Sequence, residues 1–160
     1  MAVNHLRVAC VLQLIVCVAP LHAQDGSAIP SISFGARTGV DIDAAGRDIS
    51  RSLVGVELRY HITRRWSVGP SFDYYVNLPG AVRFNFDTHY RLPVLWNVSY
   101  LGAGFTFPND DGPHNYPGAN AFLGFSTRVT RSLTPFAEAR WVFFPYYTSF
   151  TILSGMHVGM

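Results

Sequence analysis

From Ile32 to Met160, every stretch that alternates apolar with polar residues splits into two faces, and one of them carries no formal charge. The opposite face carries Arg37, Glu57, Arg59, Asp73, Arg83, Asp87, Arg91, Arg128, Glu138 and Arg140. Strand side chains alternate sides with a period of two, so an uncharged aliphatic and aromatic face backs onto a charged, glycine-rich one. That division is what a small barrel crossing a lipid bilayer requires. Within single strands, Glu57 agrees in phase with Arg59, Arg83 with Asp87 and Arg91, and Glu138 with Arg140. Agreement of this kind arises by chance about one time in sixteen, and alternation alone does not say which face is outside.

Composition points the same way. Of 160 residues, 49% are hydrophobic and only 14% charged, against about 25% charged in ordinary soluble domains. After the N-terminus no apolar run reaches the roughly 18 residues of a membrane helix, so a membrane would have to be crossed by strands closed into a barrel. The length suits one domain. All twelve basic residues are Arg, the net charge is +2, and the charges are dispersed along the strands. Nucleic-acid binding, which calls for a clustered basic patch, is not indicated.

The first 23 residues read as an export signal. A short basic start ends at Arg7, an apolar run spans Val8 to Ala19, and Leu21-His22-Ala23 offers a small-residue cleavage site. Cys10 and Cys17 both lie inside this segment, so a mature domain over residues 24–160 contains no cysteine. An exported domain without disulfides must take its stability from elsewhere, and a closed hydrogen-bonded barrel supplies it.

Eight strands are predicted at about 31–40, 52–60, 66–75, 82–92, 98–107, 119–129, 134–143 and 150–160, near the roughly 9–11 residues of a tilted membrane strand. Tight connections at 62–65, 93–96 and 130–133 alternate with mostly longer ones at 41–51, 77–81, 108–118 and 144–149. Short turns on the periplasmic side and longer external loops give the orientation. A loose strand-turn-strand repeat, seen around 59–68, 90–100 and 128–136, fits successive hairpins of an up-and-down barrel. Tyr60, Trp66, Tyr90 and Trp96 fall at turn ends, and Tyr74, Phe107, Trp141 and Phe143 at loop ends. Two such belts are the aromatic girdles of a membrane barrel. The competing arrangement, an exported soluble barrel holding a small apolar ligand in an aromatic interior, has the same alternation turned inside out.

The segments 66–72, 100–105 and 134–141 (WSVGPSF, YLGAGF and TPFAEARW) resemble strand starts of small Gram-negative outer-membrane β-barrel proteins, the group that includes OmpX and the membrane domain of OmpA. The likeness covers residues 31–160. It implies an all-β, eight-stranded antiparallel up-and-down transmembrane barrel in the outer membrane. It also implies a monomer, contact with outer-membrane lipid and lipopolysaccharide, and recognition of the last strand by the outer-membrane assembly machinery. Family members usually end on an aromatic residue, whereas this chain ends on Met160.

An eight-stranded barrel is only wide enough for side chains to fill it. The ten inward charges, with His89, Asn85, Tyr100 and Asn120, are therefore read as a plug of Arg–carboxylate pairs anchored by Glu57 with Arg59 and Glu138 with Arg140. A wide pore is not expected, and neither is a cofactor, a metal or catalysis. His114 to Asn120 resembles the active-site region of lipid A deacylases, but the nucleophilic Ser of that family is replaced by Tyr116. Ser71, Asp73 and His89 are read as lumen hydrogen-bonders instead of a triad. Asp41, Asp43, Asp48, Asp110 and Asp111 are read as turn-forming residues of two external loops. The Asn97-Val98-Ser99 sequon sits at a periplasmic turn and carries no weight.

Overall fold

The computed structural model describes residues 31–43, 50–93, 99–109 and 116–159. The expected export signal, Trp96, Asp48, Asp110, Asp111, His114, Asn97 and Met160 lie outside the described residues. Eight strands form one closed barrel in sequence order: β1 (Ile32–Asp43), β2 (Ser50–His61), β3 (Trp66–Tyr75), β4 (Val82–Arg91), β5 (Ser99–Asn109), β6 (Gly118–Ser126), β7 (Leu133–Phe143) and β8 (Thr148–Gly159). Every neighbouring pair is antiparallel, and β1 closes on β8 from Ser33↔Gly159 to Asp43↔Ser149. No helix among the described residues is long and apolar enough to cross a membrane.

The uncharged face is the outer one. Phe34, Val56, Phe86, Phe105, Phe125 and Val158 are among the exposed large apolar residues, whereas Arg37, Asp73, Arg83 and Arg140 are buried. The arrangement with an aromatic, ligand-holding interior is thereby overturned: the interior is charged. An exterior apolar over its whole girth far exceeds the few hundred Å² that soluble monomers tolerate.

Two strand ends differ from expectation by three residues, and the others by fewer. β1 runs on to Asp43, because Asp41 continues the inward phase of Arg37 and Gly39 and is satisfied inside. β6 stops at Ser126, not at 129. The next pair would be Thr127 with Pro135; Thr127 N–H donates to Pro135 O at 3.1 Å, but proline has no N–H to return.

Register explains how the lumen holds long side chains. Arg37 pairs with Gly55 on one side and Gly155 on the other, Glu57 with Gly35, Asp73 with Gly55, Asp87 with Gly69 and Gly104, and Glu138 with Gly124. A charged chain thus lies across a neighbour that has no side chain. A Cβ on Gly55 would collide with Asp73 Oδ1 and Phe72 O. Gly80 meets a different demand: with φ 85° it follows Pro79 in a type II turn closed by Ala81 N–H to Leu78 O at 3.0 Å.

These two glycines should respond differently to substitution. Gly55→Val is expected to destabilise the barrel by about 1–3 kcal/mol through overpacking, and Gly80→Ala by about 1 kcal/mol through its left-handed backbone. Urea unfolding followed by tryptophan fluorescence in detergent micelles measures both, and the larger loss should belong to Gly55→Val.

Candidate functional site

Asp73 on β3 is fully buried and accepts from three residues, Arg37 on β1 and Arg83 and Asn85 on β4. Arg37 forms a fork on it, Nε to Oδ1 at 2.7 Å and Nη2 to Oδ2 at 2.8 Å. Arg83 Nε donates to Oδ2 at 3.2 Å, and Asn85 Nδ2 to the same oxygen at 3.1 Å. Charge-assisted and bidentate bonds of this kind are the strongest that side chains make, and here both partners are buried.

From this hub the network runs around the barrel. Asn85 Oδ1 accepts from Thr106 Oγ1 at 2.9 Å, Asn120 Nδ2 donates to Thr106 Oγ1 at 2.9 Å and to Asp87 Oδ1 at 3.0 Å, and Arg140 Nη2 donates to Asp87 Oδ2 at 2.7 Å. Arg140 Nε also reaches Glu138 Oε1 at 2.9 Å, and Tyr100 OH donates to Glu138 Oε2 at 3.1 Å. On the other side, Arg37 Nη1 meets Glu57 Oε2 at 3.2 Å, and Arg59 donates to Glu57 Oε1 through Nη2 at 2.6 Å. Three guanidinium groups also lie over rings: Arg59 over Tyr100, Arg83 over Tyr75 and Arg140 over Phe122.

The structure brings together eight of the ten charges the pattern places inward. Arg91 and Arg128 are the exceptions, and the reading that puts them in the network is corrected. Arg91 is the exposed last residue of β4, and Arg128 lies exposed beyond the end of β6. Neither has a described carboxylate at its end of the barrel, so nothing offsets the cost of drawing its charge inward.

Asp41 takes their place. It is buried and accepts from Tyr75 OH at 2.8 Å and Thr151 Oγ1 at 2.9 Å, with Arg83 Nη1 at 3.5 Å. Its phase, two residues beyond Gly39, is the signal that a boundary drawn at residue 40 discards. His157 is a second omission: its Nε2 lies 3.2 Å from Glu57 Oε1. Among the described residues, four buried Arg therefore face five buried carboxylates.

His89 is buried against Phe122 and Tyr100, with ring centroids 4.8 and 5.7 Å away. Neither of its ring nitrogens has a hydrogen-bond partner among the described residues. Ser71 Oγ accepts from Arg37 Nη2 at 2.7 Å and Asn85 Nδ2 at 3.1 Å. Ser71, Asp73 and His89 thus lack the hydrogen-bonded nucleophile–base pair that a triad requires. No group of three or more His, Cys, Asp or Glu among the described residues is placed to hold a metal ion.

Of the aromatics at strand ends, Tyr60, Trp66, Tyr74, Phe107, Trp141 and Phe143 are exposed and Tyr90 is half-buried. Trp66 and Tyr90 are register partners with ring centroids 4.8 Å apart at the turn end. At the loop end Trp141 lies 5.1 Å from Phe150, and Phe107 lies 6.3 Å from Phe84.

No family model matches the sequence, and no curated protein matches it. Solved structures do. The N-terminal β-barrel domain of OprF from Pseudomonas aeruginosa superposes with a TM-score of 0.63 at 16% identity, covering 80% of this chain and 97% of that one. Neisserial surface protein A gives 0.59 at 16% identity, covering 84% and 99%. A de novo designed transmembrane β-barrel gives 0.57 at 13% identity, covering 84% and 100%. The chain has the fold of the small eight-stranded transmembrane barrels, a fold that natural proteins and an invented sequence share.

Removing the hub carboxylate tests how far stability depends on it. Asp73→Asn leaves Arg37 and Arg83 without their shared counter-charge, and a loss of about 3–5 kcal/mol is expected, as for breaking other buried ion pairs. Arg131→Gln, at an exposed turn position, should change stability by less than about 0.5 kcal/mol. Equilibrium urea titration of the two variants in one detergent makes the comparison.

Proposed function

We propose that this protein is an integral outer-membrane barrel with a structural or surface-interaction role, and that it neither catalyses a reaction nor forms a wide pore. The single observation that carries the reading is the inversion of polarity: charged residues inside, and large apolar residues exposed over the girth. Lipid is the solvent that such a surface fits, and the aromatics at both strand ends suit the two interfaces. The barrel would sit as a monomer among outer-membrane lipid and lipopolysaccharide, its loops outward and its turns in the periplasm. Delivery by the export signal and insertion by the assembly machinery through the last strand belong to the same proposal.

The filled lumen argues against passive transport. Arg37, Asp73, Asn85, Asp87 and Arg140 join across the middle of the barrel, and a solute could pass only by breaking charge-assisted bonds that water cannot replace there. Surface interaction would then fall to the loop end, where Tyr116 and the exposed Tyr146 meet with ring centroids 5.4 Å apart.

Electrophoresis of the outer-membrane fraction, unheated and boiled, checks the proposal. A compact, fast-migrating band that slows on boiling is expected; absence of a shift together with solubility in the periplasm would defeat it. In planar bilayers, the purified barrel is expected to show no large stepwise conductance.

A further inference from the structure

The turn end of the barrel is one-sided in charge. Arg59, Arg64, Arg65, Arg91, Arg128 and Arg131 lie there, and the described residues of that end, 58–69, 88–93 and 125–135, include no Asp or Glu. Arginines dispersed along the sequence are gathered by the up-and-down topology onto one rim, because β2, β4 and β6 all end there. Four of them, Arg59, Arg64, Arg65 and Arg91, line a small recess of about 20 Å³ that opens to solvent, together with His61, Ser67, His89, Tyr100 and Ser126. No carboxylate among the described residues lines it. Glu57, the nearest acid of the network, is engaged by Arg59, Arg37 and His157 deeper in the barrel.

The recess also has an unfilled polar wall. His89 lines it, is only 6% exposed, and has both ring nitrogens without a hydrogen-bond partner among the described residues. Buried polar groups are normally satisfied, so an imidazole left open beside convergent guanidinium groups points to an occupant that accepts hydrogen bonds. Arg64, Arg65 and Arg91 add three exposed guanidinium groups to the mouth of the recess, with no described carboxylate lining it.

We propose that this recess is a phosphate-binding site. Guanidinium groups present planar forks of donors that match phosphate oxygens two at a time, and a recess lined by several of them selects a multivalent tetrahedral oxyanion over chloride. The phosphate group belongs either to free inorganic phosphate or to the headgroup of an anionic phospholipid in the adjoining leaflet. The lipid source rests on the membrane reading proposed above; the free-phosphate source does not.

The test uses the full chain folded in octyl glucoside, a detergent without phosphate, with arginine Nε–H resonances as the readout. Inorganic phosphate is titrated against chloride at equal ionic strength, and in a second arm the protein is placed in nanodiscs of phosphatidylglycerol. Saturable shifts of Arg59 and Arg65 with phosphate assign the free ion; shifts only in the nanodiscs assign the headgroup. The double variant Arg64→Gln/Arg91→Gln, changed at exposed positions, should weaken the response about tenfold, whereas Arg131→Gln, on the same rim but outside the recess, should leave it unchanged. No response in either arm, or an equal loss in Arg131→Gln, overturns the site. Heat-modifiable migration of the same samples reports the barrel separately, so failure of the site is distinguishable from failure of the membrane reading.

Discussion

The fork of Arg37 on Asp73 is the interaction on which the rest of this barrel depends. Burying two charges costs several kcal/mol for each ion, and their attraction restores that only with good geometry and further hydrogen bonds. Here Arg83, Asn85, Ser71 and Glu57 supply those bonds from β4, β3 and β2. The interior is held by specificity of pairing, where a soluble protein would use apolar packing. Apolar packing is spent on the exterior, against lipid.

A lumen of this width admits such a network only because bulk alternates across the strands. Gly35, Gly55, Gly104, Gly124 and Gly155 stand beside the longest inward side chains in the ladder, so that each charged chain can lie flat over a neighbour. Glycines weaken isolated strands, yet in a closed ladder every strand is hydrogen-bonded on both sides, and the loss is tolerated. The apolar inward residues Leu53 and Leu153, with Tyr75 and Ala81, then fill the loop end where charges thin out.

Much of this was legible in the sequence. Period-two patterning located all eight strands, because a strand between lipid and a charged lumen cannot slip by one residue without exchanging its faces. Alternation also named Asp73, Arg83, Asp87, Glu138 and Arg140 as inward. What it could not reveal was pairing across the barrel: Glu138 shares Arg140 with Asp87, 53 residues from Arg140 in sequence, and no local pattern encodes that distance. Strand ends were the other weak point. Asp41 reads as a turn residue because aspartate favours turns, and Arg91, at the last position of β4, and Arg128, beyond the end of β6, read as inward because the phase continues up to and past the point where a strand stops. Pro135, lacking an N–H, was the local signal that β6 ends early. The gathering of arginines on one rim was invisible until topology placed the strand ends together.

The hydrogen bond from Thr151 to Asp41 joins residues 110 positions apart, across the seam where the last strand meets the first. Until that seam closes, Arg37 and Asp41 on β1 lack their β8 side, and an open sheet would present guanidinium and carboxylate groups to hydrocarbon. A single hairpin of this chain therefore has no enclosed place for its charges; the interior exists only once the ring is complete, and the β1–β8 seam is the contact that makes it an interior.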